Sequence, residues 1–208
     1  MKIIIYGCSY EAEKFMKVNK DNIDILYCIE DNLKINEFGG FTVYNSSKLK
    51  ECPDAMILIF TRNVGIYQKI SSVLKSYGLK EFDNYIPAHL YRKKIALIWG
   101  NCHAGYLKLF LSYSKEFSGE YAFYDTKNLW DMKEEDIDKN LFQHCDLLVC
   151  QQLREENSLG RSFSSAVVEK MLNKDCKILR FPNLFGLPKF MFPQTERQNI
   201  YSARGGYA

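Results

Sequence analysis

The residues with the clearest chemical potential form one short string, Gly100-Asn101-Cys102-His103-Ala104-Gly105. A cysteine attacks as its thiolate, which is favoured where helix N–H groups and the positive end of a helix dipole point at the sulfur. An adjacent imidazole can serve as a base, or as a cation that lowers the thiol pKa further. The string follows the apolar run Ile95–Trp99 and precedes a helical pattern carrying Tyr106, Leu109 and Phe110. Cys102 is therefore expected on a strand-to-helix turn at the carboxyl edge of a parallel sheet, the edge where open α/β sheets bind ligands. The residue types leave a second reading open, in which Cys102 fills a tight turn and Asn101 supplies turn hydrogen bonds.

The elements that must position this string repeat along the chain. Lys2 to Gly7 and Lys94 to Gly100 each run from a basic residue through an apolar stretch to a glycine turn. A helical pattern follows each: Ala12, Phe15 and Met16 in the first, Tyr106, Leu109 and Phe110 in the second. Both read as β-loop-α units, so the expected class is α/β with two consecutive parallel-sheet units. Residues 1–87 form the first unit, 88–93 a linker, and 94–208 the second. Further strands are expected at Ile23–Ile29, Phe41–Tyr44, Ala55–Phe60 and Glu81–Tyr85, then at Tyr121–Tyr124, Asp146–Gln151 and Lys177–Arg180. Helices are expected at Gly65–Tyr77, Ala104–Lys115, Lys133–Asn140 and Ser162–Lys174, with a shorter segment at Ser46–Lys50.

Composition narrows the function classes. The chain has 208 residues, 28 Lys and Arg against 25 Asp and Glu, and a net charge of +3, too small to signal a nucleic-acid partner. Its seven cysteines are scattered with no CxxC pair, so no metal site is expected and the usage fits a reducing compartment. No apolar run approaches the ~20 residues of a membrane span. The start is too short in apolar residues for a secretion signal, because Glu11, Glu13 and Lys14 follow at once. A soluble cytoplasmic protein without membrane insertion is expected, with a homo-oligomer as open as a monomer.

Four stretches of the second unit, in order, resemble the WcbI family of polysaccharide-biosynthesis acetyltransferases. They are Gly100-Asn101-Cys102, the strand Asp146 to Gln151 with Gln152 behind it, the helix ending near Lys174 with the strand residues Ile178 and Leu179, and the loop Phe181 to Pro188. The resemblance covers residues 94 to 193. It implies a fold related to the SGNH hydrolases, coenzyme A or acetyl-CoA as ligand, and acyl transfer to a capsule or other surface sugar. It casts Cys102 as the group that attacks the thioester or positions it. Gly100, Asn101, Gln151, Gln152 and Asn183 become the CoA-binding set, with Asn101 or Gln151 assisting the oxyanion. Tyr106 and the loop around Asn183 are expected to line the acceptor site.

The family of SGNH enzymes places an Asp and a His on a late loop, and this chain departs from that. Its three histidines are His89, His103 and His144. His144 precedes a strand and should lie at the opposite sheet edge from Cys102. His89 falls in the linker, where an exposed or interface role is expected. His103 neighbours Cys102, although adjacent side chains on such a turn diverge. Either another group is the general base, or the part that carries it lies beyond this chain, as in a truncated member. An SGNH-type carbohydrate esterase and a non-catalytic module for CoA or a nucleotide-sugar remain alternatives.

The first unit is similar to the small Rossmann-like N-terminal domains attached to sugar-modifying enzymes, including sialic-acid and bacillosamine-type acetyltransferases. The matching residues are Ile3 to Ser9, Cys28 to Asn32 and Phe38 to Val43. The resemblance implies a nucleotide-sugar ligand, with Glu30 or Asp31 on a ribose hydroxyl. The dinucleotide fingerprint is absent, since only the first of its three glycines, Gly7, is in place.

Overall fold

The first sheet grows from apolar runs short enough for strands and buried on both faces. The computed structural model describes residues 2–32, 35–51, 54–100, 102–126 and 129–181, the side chains of Cys102 and His103 excepted. Strands β1 (Lys2–Tyr6), β2 (Asp24–Ile29), β3 (Glu37–Phe38), β4 (Phe41–Tyr44), β5 (Met56–Ile59) and β6 (Tyr85–Pro87) lie in the order β3-β4-β2-β1-β5-β6. All neighbours run parallel except the short β3 on β4. Helices α1 (Tyr10–Asn19) and α2 (Val64–Ser76) follow β1 and β5.

Strand alternation decides which helix covers which residue. Ile3 and Ile5 of β1 join Leu58 of β5 and Ala12 and Met16 of α1 in one cluster. Ile4 and Tyr6 face the other way and join Ile57, Ile59, Tyr67 and Leu74, the last two from α2. The strand order reverses between β1 and β5, so the carboxyl ends of those strands form the crevice of this sheet.

The second sheet contains β7 (Lys94–Trp99), β8 (Tyr121–Phe123), β9 (Leu147–Gln151) and β10 (Lys177–Phe181). Its order is β10-β9-β7-β8, parallel throughout. Helices α3 (Cys102–Tyr113) and α4 (Lys115–Glu120) connect β7 to β8. Leu107 and Leu111 of α3 lie against Ala96, Phe123 and Val149 on one face. The short helices α5 (Lys139–Gln143) and α6 (Ser165–Glu169) cover the other, where Leu141, Phe142 and Val168 meet Leu97, Trp99 and Leu148. The order reverses between β7 and β9, which puts the crevice of this sheet beside the end of β7.

Three expected elements take a different form. The strand expected at Glu81–Tyr85 is Tyr85–Pro87, because Phe82 has φ 70 and turns the chain before the strand begins. The helix expected at Lys133–Asn140 is a 3-10 turn, Glu134–Asp136, followed by α5, and Ile137 between them is extended. Asp138 then caps α5 by accepting from the Asn140 N–H at 2.9 Å. The helix expected at Ser162–Lys174 is reduced to α6, since extended Ser164 starts it late as its N-cap. It ends early, at Glu169, and Asn173 beyond it donates to the carbonyls of Gln143 (3.0 Å) and Cys145 (2.7 Å).

The two sheets meet around a buried carboxylate. Glu81, 4% exposed, accepts from the hydroxyls of Tyr67 (2.5 Å) and Tyr124 (2.7 Å), one from each half of the chain. Burial foremost, with the carboxylate beside them, holds both phenols well above their ordinary pKa, so they remain donors. His89, in the 3-10 turn Ala88–Leu90, adds a contact between its Nε2 and the Phe123 carbonyl at 3.0 Å.

Candidate functional site

Gly100 follows β7 at a crowded place, where a larger residue would displace its neighbours. A Cβ there would stand 2.9 Å from Cζ of Phe181, 3.0 Å from Cβ of Gln151 and 3.1 Å from Cβ of Ala104. The register explains the crowding. Trp99 pairs with Cys150 and Phe181 with Gln151, so Gly100, Gln151 and Phe181 come level at the carboxyl edge of three adjacent strands. Cys102 is the first residue of α3, a 12-residue helix with no acidic residue in its first turn. The positive end of that helix dipole is thus directed at the start of the helix, and its own first turn carries no acidic residue to offset it.

The structure brings Gly100 and Gln151 together and puts the start of α3 beside them. Gln151 is 1% exposed, whereas Gln152 is exposed. His103 is the second residue of α3. Asn101 and Asn183, both expected in the ligand set, lie outside the described residues. Tyr106 is 66% exposed on α3. His144 precedes β9, stacks on Phe82 and contacts the Asn140 carbonyl with Nδ1, far from the edge that carries Cys102 as its place in the sequence requires.

Two groups shape this sheet, one at each edge, without any motif to announce them. Ser165, at the start of α6, donates to the Gln151 carbonyl (2.9 Å) and accepts from the Leu153 N–H (2.8 Å), which fixes how the chain leaves β9. Asp146 accepts from the Ile95 N–H at 2.7 Å and ties the start of β7 to that of β9. Serine and aspartate are common in loops, so only the tertiary contact distinguishes these two. Arg154, exposed in the loop after β9, is a cation at the carboxyl edge that sequence reading passed over.

The crevice of the first sheet is a cleft of about 500 Å³ lined by Tyr6, Gly7, Glu30, Asp31 and Lys69 among others. Gly7 has φ 103, and a Cβ on it would lie 2.9 Å from the Phe60 carbonyl oxygen, so this turn requires glycine. Both acidic residues are held in place. Glu30 accepts from the N–H groups of Cys8 (3.2 Å) and Asn32 (3.0 Å), and Asp31 from the Tyr6 hydroxyl (2.5 Å) and the Ser46 N–H (2.7 Å). The Cys8 N–H that a phosphate would seek is therefore already engaged by a carboxylate. Burial, and then the Glu30 charge, push the Cys8 thiol up to about 11, which makes it a poor nucleophile at neutral pH.

Fold and site together describe an α/β protein with two crevices, one of them headed by a cysteine at a helix N-terminus. Residues 95–186 match the model of the family described as polysaccharide biosynthesis enzyme WcbI. The matched residues make up less than half of the chain. A solved structure of WcbI is described as a novel polysaccharide biosynthesis enzyme, in its native form without a disulfide bond between CoA and a cysteine. It is similar over 42% of this chain at 22% identity and TM-score 0.39, and the chain spans only 29% of its length. The apo D-lactate dehydrogenase of Escherichia coli matches over 97% of this chain and 80% of its own, at 11% identity and TM-score 0.24. No curated protein matches the chain. Among the described residues, no helix is long and apolar enough to cross a membrane.

Proposed function

We propose that the chain catalyses transfer of an acyl group from acyl-CoA to a hydroxyl of a capsule or other surface-polysaccharide sugar, with Cys102 at the reacting centre. The observation that carries this reading is the position of Cys102 as the first residue of α3, at the crevice between β7 and β9, inside the segment that matches the WcbI model. CoA as donor follows from the resemblance of residues 94–193 to that family. The Cys102 thiolate attacks the thioester carbon and releases CoA thiolate. The sugar oxygen then attacks the acyl-cysteine as its proton passes to a base, and the sulfur leaves. Alternatively, Cys102 positions the thioester for direct attack by the sugar.

N–H groups at the start of α3, with the amide of Gln151 or Asn101, suit the oxyanion that forms in either route. His103 is the base nearest in sequence. By the resemblance, Gly100, Gln152 and Asn183 complete the CoA-binding set, and Arg154 offers a cation for its phosphates. The strand order of residues 2–87 supports a Rossmann-like first domain, and that of residues 94–181 an SGNH-like second one. A nucleotide-sugar in the first crevice would use Glu30 or Asp31 for hydroxyls, while the engaged Cys8 N–H disfavours a diphosphate at that turn.

Calorimetric titration with CoA and acetyl-CoA, followed by an acyl-transfer assay on sugar acceptors, tests the reading. Micromolar binding is expected, and Cys102→Ala should keep that binding while transfer falls by at least about 100-fold. A folded protein that binds neither ligand, or a Cys102→Ala variant with unchanged transfer, overturns it. Hydrolysis of an acyl ester without CoA would point to the esterase instead.

A further inference from the structure

We propose that Cys145 and Cys176 are a disulfide-forming pair that staples the amino ends of β9 and β10. The two sulfurs lie 3.6 Å apart, with the Cys176 thiol directed at Cys145. Their proximity follows from the sheet itself. Lys177 pairs with Leu147, and its N–H donates to the Asp146 carbonyl at 2.9 Å, so Cys176 is level with Asp146 and Cys145 is one residue behind. Strands about 4.8 Å apart with a rise of about 3.3 Å per residue then separate the two Cα atoms by about 6 Å. That value falls within the usual range for a disulfide, about 4.4–6.8 Å.

Asn173 holds the approach in place by donating to the Cys145 carbonyl. The pair lies at the amino edge of the sheet, whereas Cys102 follows β7 at the carboxyl edge. The inference therefore stands apart from the proposed acyl transfer.

Access orders the steps. Cys145 is fully buried and Cys176 only partly, so an oxidant meets Cys176 first. With oxidised glutathione, the Cys176 thiolate attacks one sulfur and releases one glutathione thiolate, leaving a mixed disulfide. Cys145 then loses its proton to water and attacks the Cys176 sulfur, which releases the second glutathione. In sum, two protein thiols are oxidised and one glutathione disulfide is reduced to two thiols. Burial raises both cysteine pKa values, so closure accelerates as pH rises above neutral.

The test treats the full chain with oxidised glutathione at mildly alkaline pH, blocks remaining thiols with N-ethylmaleimide and maps peptides by mass spectrometry without reductant. The expected product joins the peptides that contain Cys145 and Cys176, reverts with dithiothreitol, and unfolds about 5–10 °C higher than the reduced chain. The Cys176→Ser variant, changed at the more exposed partner, should fold and lose both the cross-link and the stabilisation. Oxidation that stops at glutathione on Cys176, or that joins either residue to a different cysteine, overturns the assignment.

Discussion

Replacing Gly100 by Ala tests whether the carboxyl edge of the second sheet is as tightly built as its geometry indicates. The added methyl would meet three neighbours at 2.9–3.1 Å, the Phe181 ring tip and the Cβ atoms of Gln151 and Ala104. Gly100 is not among the positive-φ glycines, so the cost is steric rather than conformational. Overpacking of this kind costs about 1–3 kcal/mol. For a chain of this size, at about 2–4 °C per kcal/mol, that lowers the melting temperature by about 2–12 °C. Differential scanning calorimetry or urea unfolding reads the change. Shortening Phe181 to Leu removes the ring tip, so the double variant should recover at least about 0.5 kcal/mol relative to the sum of the singles. The Cβ contacts to Gln151 and Ala104 persist, so recovery should be incomplete. A Gly100→Ala protein within about 0.5 kcal/mol of the parent, or strict additivity with Phe181→Leu, would refute the packing argument.

Two further predictions concern the junction of the sheets. Glu81→Ala leaves the Tyr67 and Tyr124 hydroxyls without their acceptor and should cost about 2–5 kcal/mol in urea unfolding, with Glu81→Gln costing less because it retains an oxygen. A loss below about 1 kcal/mol for the alanine variant would mean that the network does not tie the halves together. His89 is held below its ordinary pKa of 6.5, chiefly by burial, so the unfolded chain takes up its proton first as pH falls. Its contribution to stability is therefore present above about pH 6.5 and lost as pH drops through the lower folded value. Melting temperatures measured from pH 8 to pH 5 should fall less steeply for His89→Gln than for the parent, and parallel curves would contradict this.

The contrast between helix and strand segments shows which parts of the fold were legible. Runs such as Ile3–Tyr6 and Ile95–Trp99 are too short and too rich in apolar, often β-branched residues for anything but buried strands, and both appear where their composition indicates. The helical expectations at 133–140 and 162–174 failed because apolar spacing does not reveal a side chain, such as Asp138 or Ser164, that competes for the local backbone.

The amino-acid sequence by itself determined the repeated β-loop-α plan, the glycine at each first turn and the location of Cys102 between a strand and a helix. All of these are local, set by side-chain period and backbone freedom within a few residues. The tertiary structure alone decided that Gln151 and Phe181 press on Gly100 and that Ser165 pins the exit of β9. It also decided that Glu81 joins two tyrosines from different halves and that Cys145 meets Cys176. Each of these depends on strand order and register, which bring together residues 14 to 81 positions apart in ways that no local pattern encodes.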